Sequence, residues 1–251
     1  MAITNFLDNV TYPDFQQRED ILTQYFDTKM LQLDLEPFLK LNNLTSKITA
    51  DFFASKSLFY TVNKDLREFV RRYNNDVFYI TDSIFRMVNY YNLTNSSINK
   101  DERIIYELLY RKAARCLCCE IFMYEEKIKN LIRIILNFDK SKTKKYDKFK
   151  QELKRQSKNN TNVRNFRKTY NKYEQNSYIK FIKQIRNDEI HNDSIIDKYT
   201  DTETLAPGVT STVPIHFVIS NETLYNNIQQ ALLQQAKLKD SLQLILDNHK
   251  L

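Results

Sequence analysis

Apolar residues recur three and four positions apart over most of the chain, the spacing of one face of an α-helix. Pro13 and Asp14 suit a helix first turn, and Ile21, Leu22, Tyr25 and Phe26 follow on one face. A second helix is predicted from near Pro37 towards Tyr60. A third carries Leu66, Phe69, Val70, Tyr73, Val77, Ile80, Ile84, Met87, Val88 and Tyr91. The polar run NLTNSSIN (92–99) reads as a loop. The strongest pattern follows it, with Asn99 as N-cap and Asp101 and Glu102 in the positive first turn. Leu108, Leu109, Ile121, Tyr124, Ile128, Leu131, Ile132 and Ile135 then mark a long central helix, with Met123 and Tyr124 both expected in the core.

Residues 157–162 (SKNNTN) divide the next stretch into two helical pieces, and one helix is predicted over 165–198. The segment TLAPGVTSTVPIHFVIS (204–220) is β-branched around Pro207-Gly208 and predicts a short hairpin or ordered loop insertion near 202–220. Ser220 or Asn221 should cap a last helix bearing Leu224, Ile228, Leu232, Leu238, Leu242 and Ile245. The expected fold class is all-α, a multi-helix bundle of six to eight helices in one domain over 1–251.

Composition sharpens this. The chain contains one glycine, Gly208. A dinucleotide-binding fingerprint needs three glycines and a phosphate-cradling P-loop needs two, so neither can form. A Gly-x-Ser-x-Gly nucleophile elbow is excluded for the same reason. The four prolines stand at 13, 37, 207 and 214, leaving the span 45–206 free of helix breakers.

Cys116, Cys118 and Cys119 crowd one helical turn. Their odd number argues against a disulfide framework and for a reducing cytoplasm, and they read as small buried helix packers. No cluster has metal-ligand spacing, so neither a metal nor another cofactor is expected. No signal peptide and no apolar run of membrane-spanning length is visible, so the expectation is a soluble cytoplasmic protein with no membrane partner.

Charge is unevenly placed. The chain sums to +7, yet residues 140–172 hold thirteen Lys or Arg against two acidic residues, +11 locally, leaving −4 for the remainder. Such a tract suits a polyanion. Lys144, Lys145, Lys148, Lys154, Arg155, Arg164, Arg167 and Lys168 are the candidate RNA contacts. Tyr146, Phe149, Phe166, Tyr170 and Tyr173 interleave with them and either stack bases or join the core. A solvated lysine face is the plainer reading of the same tract.

Of the three histidines, His249 is terminal and His216 lies in the apolar run PIHFVI, where a structural role suffices. His191 closes Arg186-Asn187-Asp188-Glu189-Ile190-His191, a polar cluster after an apolar helix face. This Arg-Asn-x-x-x-His spacing resembles the Arg-x(4–6)-His motif of the HEPN superfamily, helical bundles that include many metal-independent ribonucleases. The chain is particularly similar to small stand-alone bacterial HEPN proteins.

The resemblance implies a HEPN-like core within 96–251, with 1–95 as an added layer. It implies a metal-independent endoribonuclease, a toxin or abortive-infection effector, acting as a homodimer on RNA, with an antitoxin protein as a further partner. Arg186, Asn187 and His191 would be its catalytic residues. The alternative is a non-catalytic module that binds RNA, a nucleotide or a protein partner. In the plainest alternative, Arg186 pairs with Asp188, Glu189 or Asp193 on an ordinary helix surface.

The residue types suit RNA cleavage. Histidine can take or give a proton near neutral pH. Arginine offers a planar fork of donors to phosphate oxygens as charge builds on them. Asn187 can orient the imidazole or bind phosphate or ribose. Five residues on a straight helix turn through about 140°, so one copy does not put Arg186 and His191 on one face unless the helix bends or the arginine reaches round.

Overall fold

The computed structural model describes residues 20, 22, 24–34, 57–139, 146–191, 203–206, 209–211 and 219–248. Six α-helices with defined bounds dominate them: α1 (Ser57–Ser96), α2 (Lys100–Ile135), α3 (Tyr146–Gln156), α4 (Thr161–Gln175), α5 (Ser177–His191) and α6 (Asn221–Asp247). A 3-10 turn spans Thr28–Leu31, and β1 (Glu203–Ala206) pairs antiparallel with β2 (Val209–Ser211) around an irregularity at Thr204/Ala206. The protein is an all-α bundle with one small hairpin between α5 and α6, as the patterning predicts.

Helix α2 is the spine. Asn99 caps it, its side chain accepting from the Asp101 amide at 2.9 Å, with Asp101 and Glu102 in the first turn. Helix α1 runs back along α2, as the pairs Ser83–Glu120 and Asp76–Lys127 require. Val70, Tyr73, Val77, Ile80, Ile84, Met87 and Val88 form its buried face.

Helix α6 runs parallel to α2: the Tyr110 hydroxyl donates to the Asn221 carbonyl at 2.8 Å near its start. Ser220 is the cap, its Oγ accepting from the Thr223 amide. The buried Arg111 donates to the Ile219 carbonyl at 2.9 Å and fixes the same corner. The 3-10 turn bridges α1 and α6. Asn74 exchanges two 2.8 Å bonds with the Leu33 backbone, and Gln243 accepts from the Asp34 amide. Leu22, Tyr25 and Phe26 are buried beside it, as their spacing predicts; Pro13, Asp14 and Ile21 lie outside the described residues.

Several boundaries differ from expectation. Residues 35–56 lie outside the described residues, but no break separates Tyr60 from Leu66, because both belong to α1. The run expected as a loop over 92–99 is helical to Ser96. There the Thr94 and Ser96 hydroxyls donate to the carbonyls of Tyr90 and Asn92, four residues back, so these polar side chains close onto the helix instead of opening it.

The predicted 165–198 helix is two helices, and 192–198 lie outside the described residues. The break falls at Asn176, whose backbone is extended and whose Oδ1 accepts from the Tyr178 amide at 2.9 Å, starting α5 afresh. Both pieces keep one direction, antiparallel to α2 and α6, since Asn162 reaches Leu244, Tyr173 reaches Gln235 and Lys183 reaches Glu125. The SKNNTN division is real, with Asn160 capping α4 through the Val163 amide.

Met123, expected in the core, is 54% exposed because it sits on the solvent side of α2, while its neighbour Tyr124 is buried. Of the cysteines, Cys118 is buried, Cys119 intermediate and Cys116 exposed, so only Cys118 is the expected packer. Among the described residues no helix is long and apolar enough to cross a membrane.

One polar cluster ties the helices together. Glu125 of α2 is fully buried and pairs with Lys129 Nζ at 2.8 Å and with Lys183 Nζ of α5 at 3.0 Å. Beside them the Tyr173 hydroxyl of α4 donates to Gln235 Oε1 of α6 at 2.5 Å. Burial, and then the Glu125 charge, push the Tyr173 phenol well above its ordinary range. Burial works against the Lys129 ammonium, but Glu125 and Glu126 outweigh it and raise its pKa.

Glu125→Ala should therefore cost about 3–5 kcal/mol in chemical denaturation, because it leaves the buried Lys129 ammonium without its buried partner. Lys129 binds its proton more tightly when folded. Its contribution should be complete below the ordinary lysine pKa of 10.5 and be lost as pH rises through the raised value. Denaturation curves between pH 8 and pH 12 measure this, and a flat wild-type profile would contradict it.

Candidate functional site on the Arg186 helix

Helix α5 buries Ile179, Ile182 and Ile185, and Tyr178 and Phe181 pack partly buried against the same core. Arg186 follows Ile185. Its guanidinium carbon lies 4.5 Å from the centroid of the Phe122 ring on α2, and its Nη1 donates to Asn187 Oδ1 at 3.0 Å. Among the described residues the aromatic face and the Asn187 amide hold the half-buried guanidinium, in a planar donor geometry suited to an anion. Asn187 is exposed. His191 is the final residue of α5, and its side chain, like those of 188–190, lies outside the described residues.

The α-helix continues unbroken from Arg186 to His191, so position 191 lies about 140° round the axis from position 186. The structure brings Arg186 and Asn187 together within one copy. His216 and His249 also lie outside the described residues.

The sequence does not single out the groups that hold this helix in place. Lys183, one turn before Arg186, ends at the buried Glu125, and its ammonium is 5.9 Å from the Tyr173 ring centroid. Nor does the sequence mark Phe122, whose one signal is a position one turn from Glu125 on the same flank of α2.

The basic tract is more structural than its charge suggests. Phe149, Phe166, Tyr170 and Tyr173 are buried, with Phe166 and Tyr170 stacked at 6.0 Å, so these rings are core and not base platforms. Tyr146 begins α3, and its side chain lies outside the described residues. Arg155 is exposed but grips Glu152 through Nε at 2.9 and 3.0 Å, and this bond holds the Glu152 carboxyl below its ordinary value. Arg164 donates to the carbonyls of Ser157 and Lys158 and ties down the α3–α4 turn. Arg167 is half-buried, and its Nε is buried without a hydrogen-bond partner.

Lys148, Lys154 and Lys168 are exposed, while Lys144 and Lys145 lie outside the described residues. Because α4 and α5 continue in one direction, Lys172 stands about 20 Å and Arg164 about 30 Å along the axis from Arg186. Proximity in sequence therefore does not become adjacency in space. Among the described residues no group of three or more His, Cys, Asp or Glu side chains is placed to hold a metal ion.

No family model, no curated protein and no solved structure matches the chain.

The two kinds of cation should separate in a stability measurement. Lys148→Glu, Lys154→Glu and Lys168→Glu should each stay within about 0.5 kcal/mol of wild type, as solvated positions do. Arg164→Ala should lose about 1 kcal/mol, since it removes two bonds to turn carbonyls. Equal effects at all four positions would mean that Arg164 is a surface cation like the others.

Proposed function

We propose that the protein is a HEPN-type, metal-independent endoribonuclease, of the toxin or phage-defence kind, whose active site is built from Arg186, Asn187 and His191. The observation that carries this reading is the end of α5. There the complete Arg-Asn-x-x-x-His spacing lies on one regular helix, with the arginine already oriented by Phe122 and Asn187.

On this reading an imidazole takes the proton of a ribose 2′-OH, and the oxygen attacks the adjacent phosphorus. The P–O5′ bond breaks, and a second proton donor neutralises the leaving 5′-oxygen. The products are a 2′,3′-cyclic phosphate and a 5′-hydroxyl. Arg186 bonds the non-bridging oxygens as negative charge accumulates there. Asn187 keeps the guanidinium in register and leaves its own amide nitrogen for phosphate or ribose.

One copy supplies one such histidine, placed about 140° from Arg186, whereas the reaction needs both a base and an acid. Two copies facing each other across a two-fold axis supply both. A homodimer is therefore part of the proposal, and an antitoxin partner would act by covering this cleft.

Incubation with total RNA should give 5′-hydroxyl fragments, and cleavage should persist in EDTA. His191→Ala should reduce cleavage at least ~100-fold while the melting temperature stays put. RNA binding without cleavage in wild type would instead select the non-catalytic reading, and undiminished cleavage by His191→Ala would end the catalytic one.

The exposed lysines act at a distance on this view, contributing counterion release to strand binding. Lys144, Lys145, Lys148 and Lys154 changed together to Glu should weaken single-strand binding and flatten its salt dependence, by about 0.7 in log–log slope for each phosphate no longer neutralised. The turnover rate at saturating RNA should change far less, because binding contacts away from the reacting groups favour ground and transition states alike. An unchanged affinity and slope would reduce the tract to a solvated surface.

A further inference from the structure

The exposed aromatic surface of the described chain is not on the basic helices. It is on α1, where Phe78 and Tyr79 are 69% and 65% exposed and their ring centroids lie 6.3 Å apart, edge to face. Tyr79 borders a groove of about 470 Å³ between α1 and α2, and also an adjoining hollow of about 180 Å³. The larger volume lies within the range of small-ligand sites.

The groove has an apolar floor, made by the buried Tyr73 and Leu131, and a polar rim. Asn75 and Asn130 are exposed on that rim. The Asn130 oxygen accepts from Arg133 Nη1 at 2.7 Å, so its amide nitrogen remains to donate. Both cations of the groove already have carboxylate partners, Arg72 with Glu68 at 3.0 Å and Lys127 with Asp76. A site so nearly balanced in charge is not built for a polyphosphate. A wide exposed ring, two amides and an apolar floor suit a flat, neutral heterocycle with hydrogen-bonding edges.

The adjoining hollow adds a second feature. Ser83 Oγ donates to Glu120 Oε1 at 2.9 Å, while Glu120 Oε2 is buried with no hydrogen-bond partner. Burial raises the pKa of this carboxyl, against the Ser83 hydroxyl that donates to it. The hollow lies at the level of α2 where Arg186 rests on Phe122, on the other flank of the helix, and the groove continues from it towards Leu131.

We propose that the α1–α2 groove is a nucleobase-binding subsite, in which one unstacked base lies against Tyr79 with its edge met by Asn75 and Asn130. The base comes from a single RNA strand engaged at Arg186 or from a free nucleotide. The strand source rests on the ribonuclease reading, whereas the base site does not.

The test uses the whole protein with U10 and A10 RNA carrying one 4-thiouridine, and with UMP and AMP as competitors. Photocrosslinks should map to the peptide containing Tyr79. Tyr79→Ala should weaken decamer binding about tenfold with an unchanged salt slope, since the stacking interaction is uncharged, and Tyr79→Phe should bind within twofold of wild type. Unchanged melting temperatures are expected of both variants at so exposed a position.

Loss of the Tyr79 crosslink on adding millimolar UMP or AMP supports the site and assigns it to a free nucleotide. Persistence of the crosslink supports it and assigns it to the strand. Wild-type affinity in Tyr79→Ala, crosslinks confined to 146–172, or binding of neither decamer nor mononucleotide overturns the proposal. So does a Tyr79→Ala defect in self-association with RNA affinity intact, which would make the groove a protein interface. Cleavage surviving in His191→Ala would remove the ribonuclease reading and leave the base site standing.

Discussion

A carboxylate taken wholly out of water at Glu125 organises the bundle. Isolated, it would be too costly to keep ionised. Here it answers Lys129 on its own helix and Lys183 on α5, with the Tyr173–Gln235 hydrogen bond of α4 and α6 packed alongside. Apolar packing alone would tolerate α5 sliding by a turn along α2, because Ile179, Ile182 and Ile185 are interchangeable in shape. An ammonium that must reach one carboxylate does not tolerate it. The register of α5 is set by Lys183, and one turn further on that register sets Arg186 over Phe122. The interaction that stabilises the core and the interaction that aims the candidate site are three residues apart.

Much of this architecture is legible in the linear pattern. Long apolar stripes with period 3.6 locate α1, α2 and α6 and the spine of what they bury, such as Val77, Ile84, Ile121, Ile128, Leu232 and Leu242, and side-chain oxygens at Asn99 and Ser220 mark two helix starts. The two errors of helix boundary share one physical origin. Short polar side chains serve a helix in two opposite ways, and composition does not distinguish them. In NLTNS the hydroxyls bond backwards and the helix continues; at Asn176 the amide bonds forwards and the helix restarts. Which happens depends on whether the following apolar face must point in a new direction, and that is decided by the packing of α4 and α5.

The candidate site is legible to a smaller extent. The spacing of Arg186, Asn187 and His191 is visible because it lies within two turns of one helix. The supports of Arg186 come from α2, more than fifty residues earlier, and local reading has no access to them. Net charge also misleads about location: several cations of 140–172 are consumed by Glu152, Glu174 and the turn carbonyls, and its aromatic rings fill the core. Stacking surface appears instead on α1, in a helix whose sequence reads as ordinary core material. Phe78 and Tyr79 fall just off the buried stripe, a distinction of about 100° per residue that composition averages away.

The position of α6 has a consequence for how the chain emerges from the ribosome. Helix α1 can close on α2 across three intervening residues, an early and local event. The buried faces of α4 and α5, however, meet α6, and Gln235, Leu238, Leu242 and Ile245 lie far along the message. At translation rates of about 5–20 residues per second, the nascent chain spends several seconds with α5 made but its α6 partner unsynthesised. During that interval Lys183 and Arg186 belong to an unfinished surface. The groups that orient Arg186 are made before α6, but the core behind α5 is closed only when that last described helix has been delivered, so chains truncated before α6 carry the motif on a helix whose buried face is incomplete.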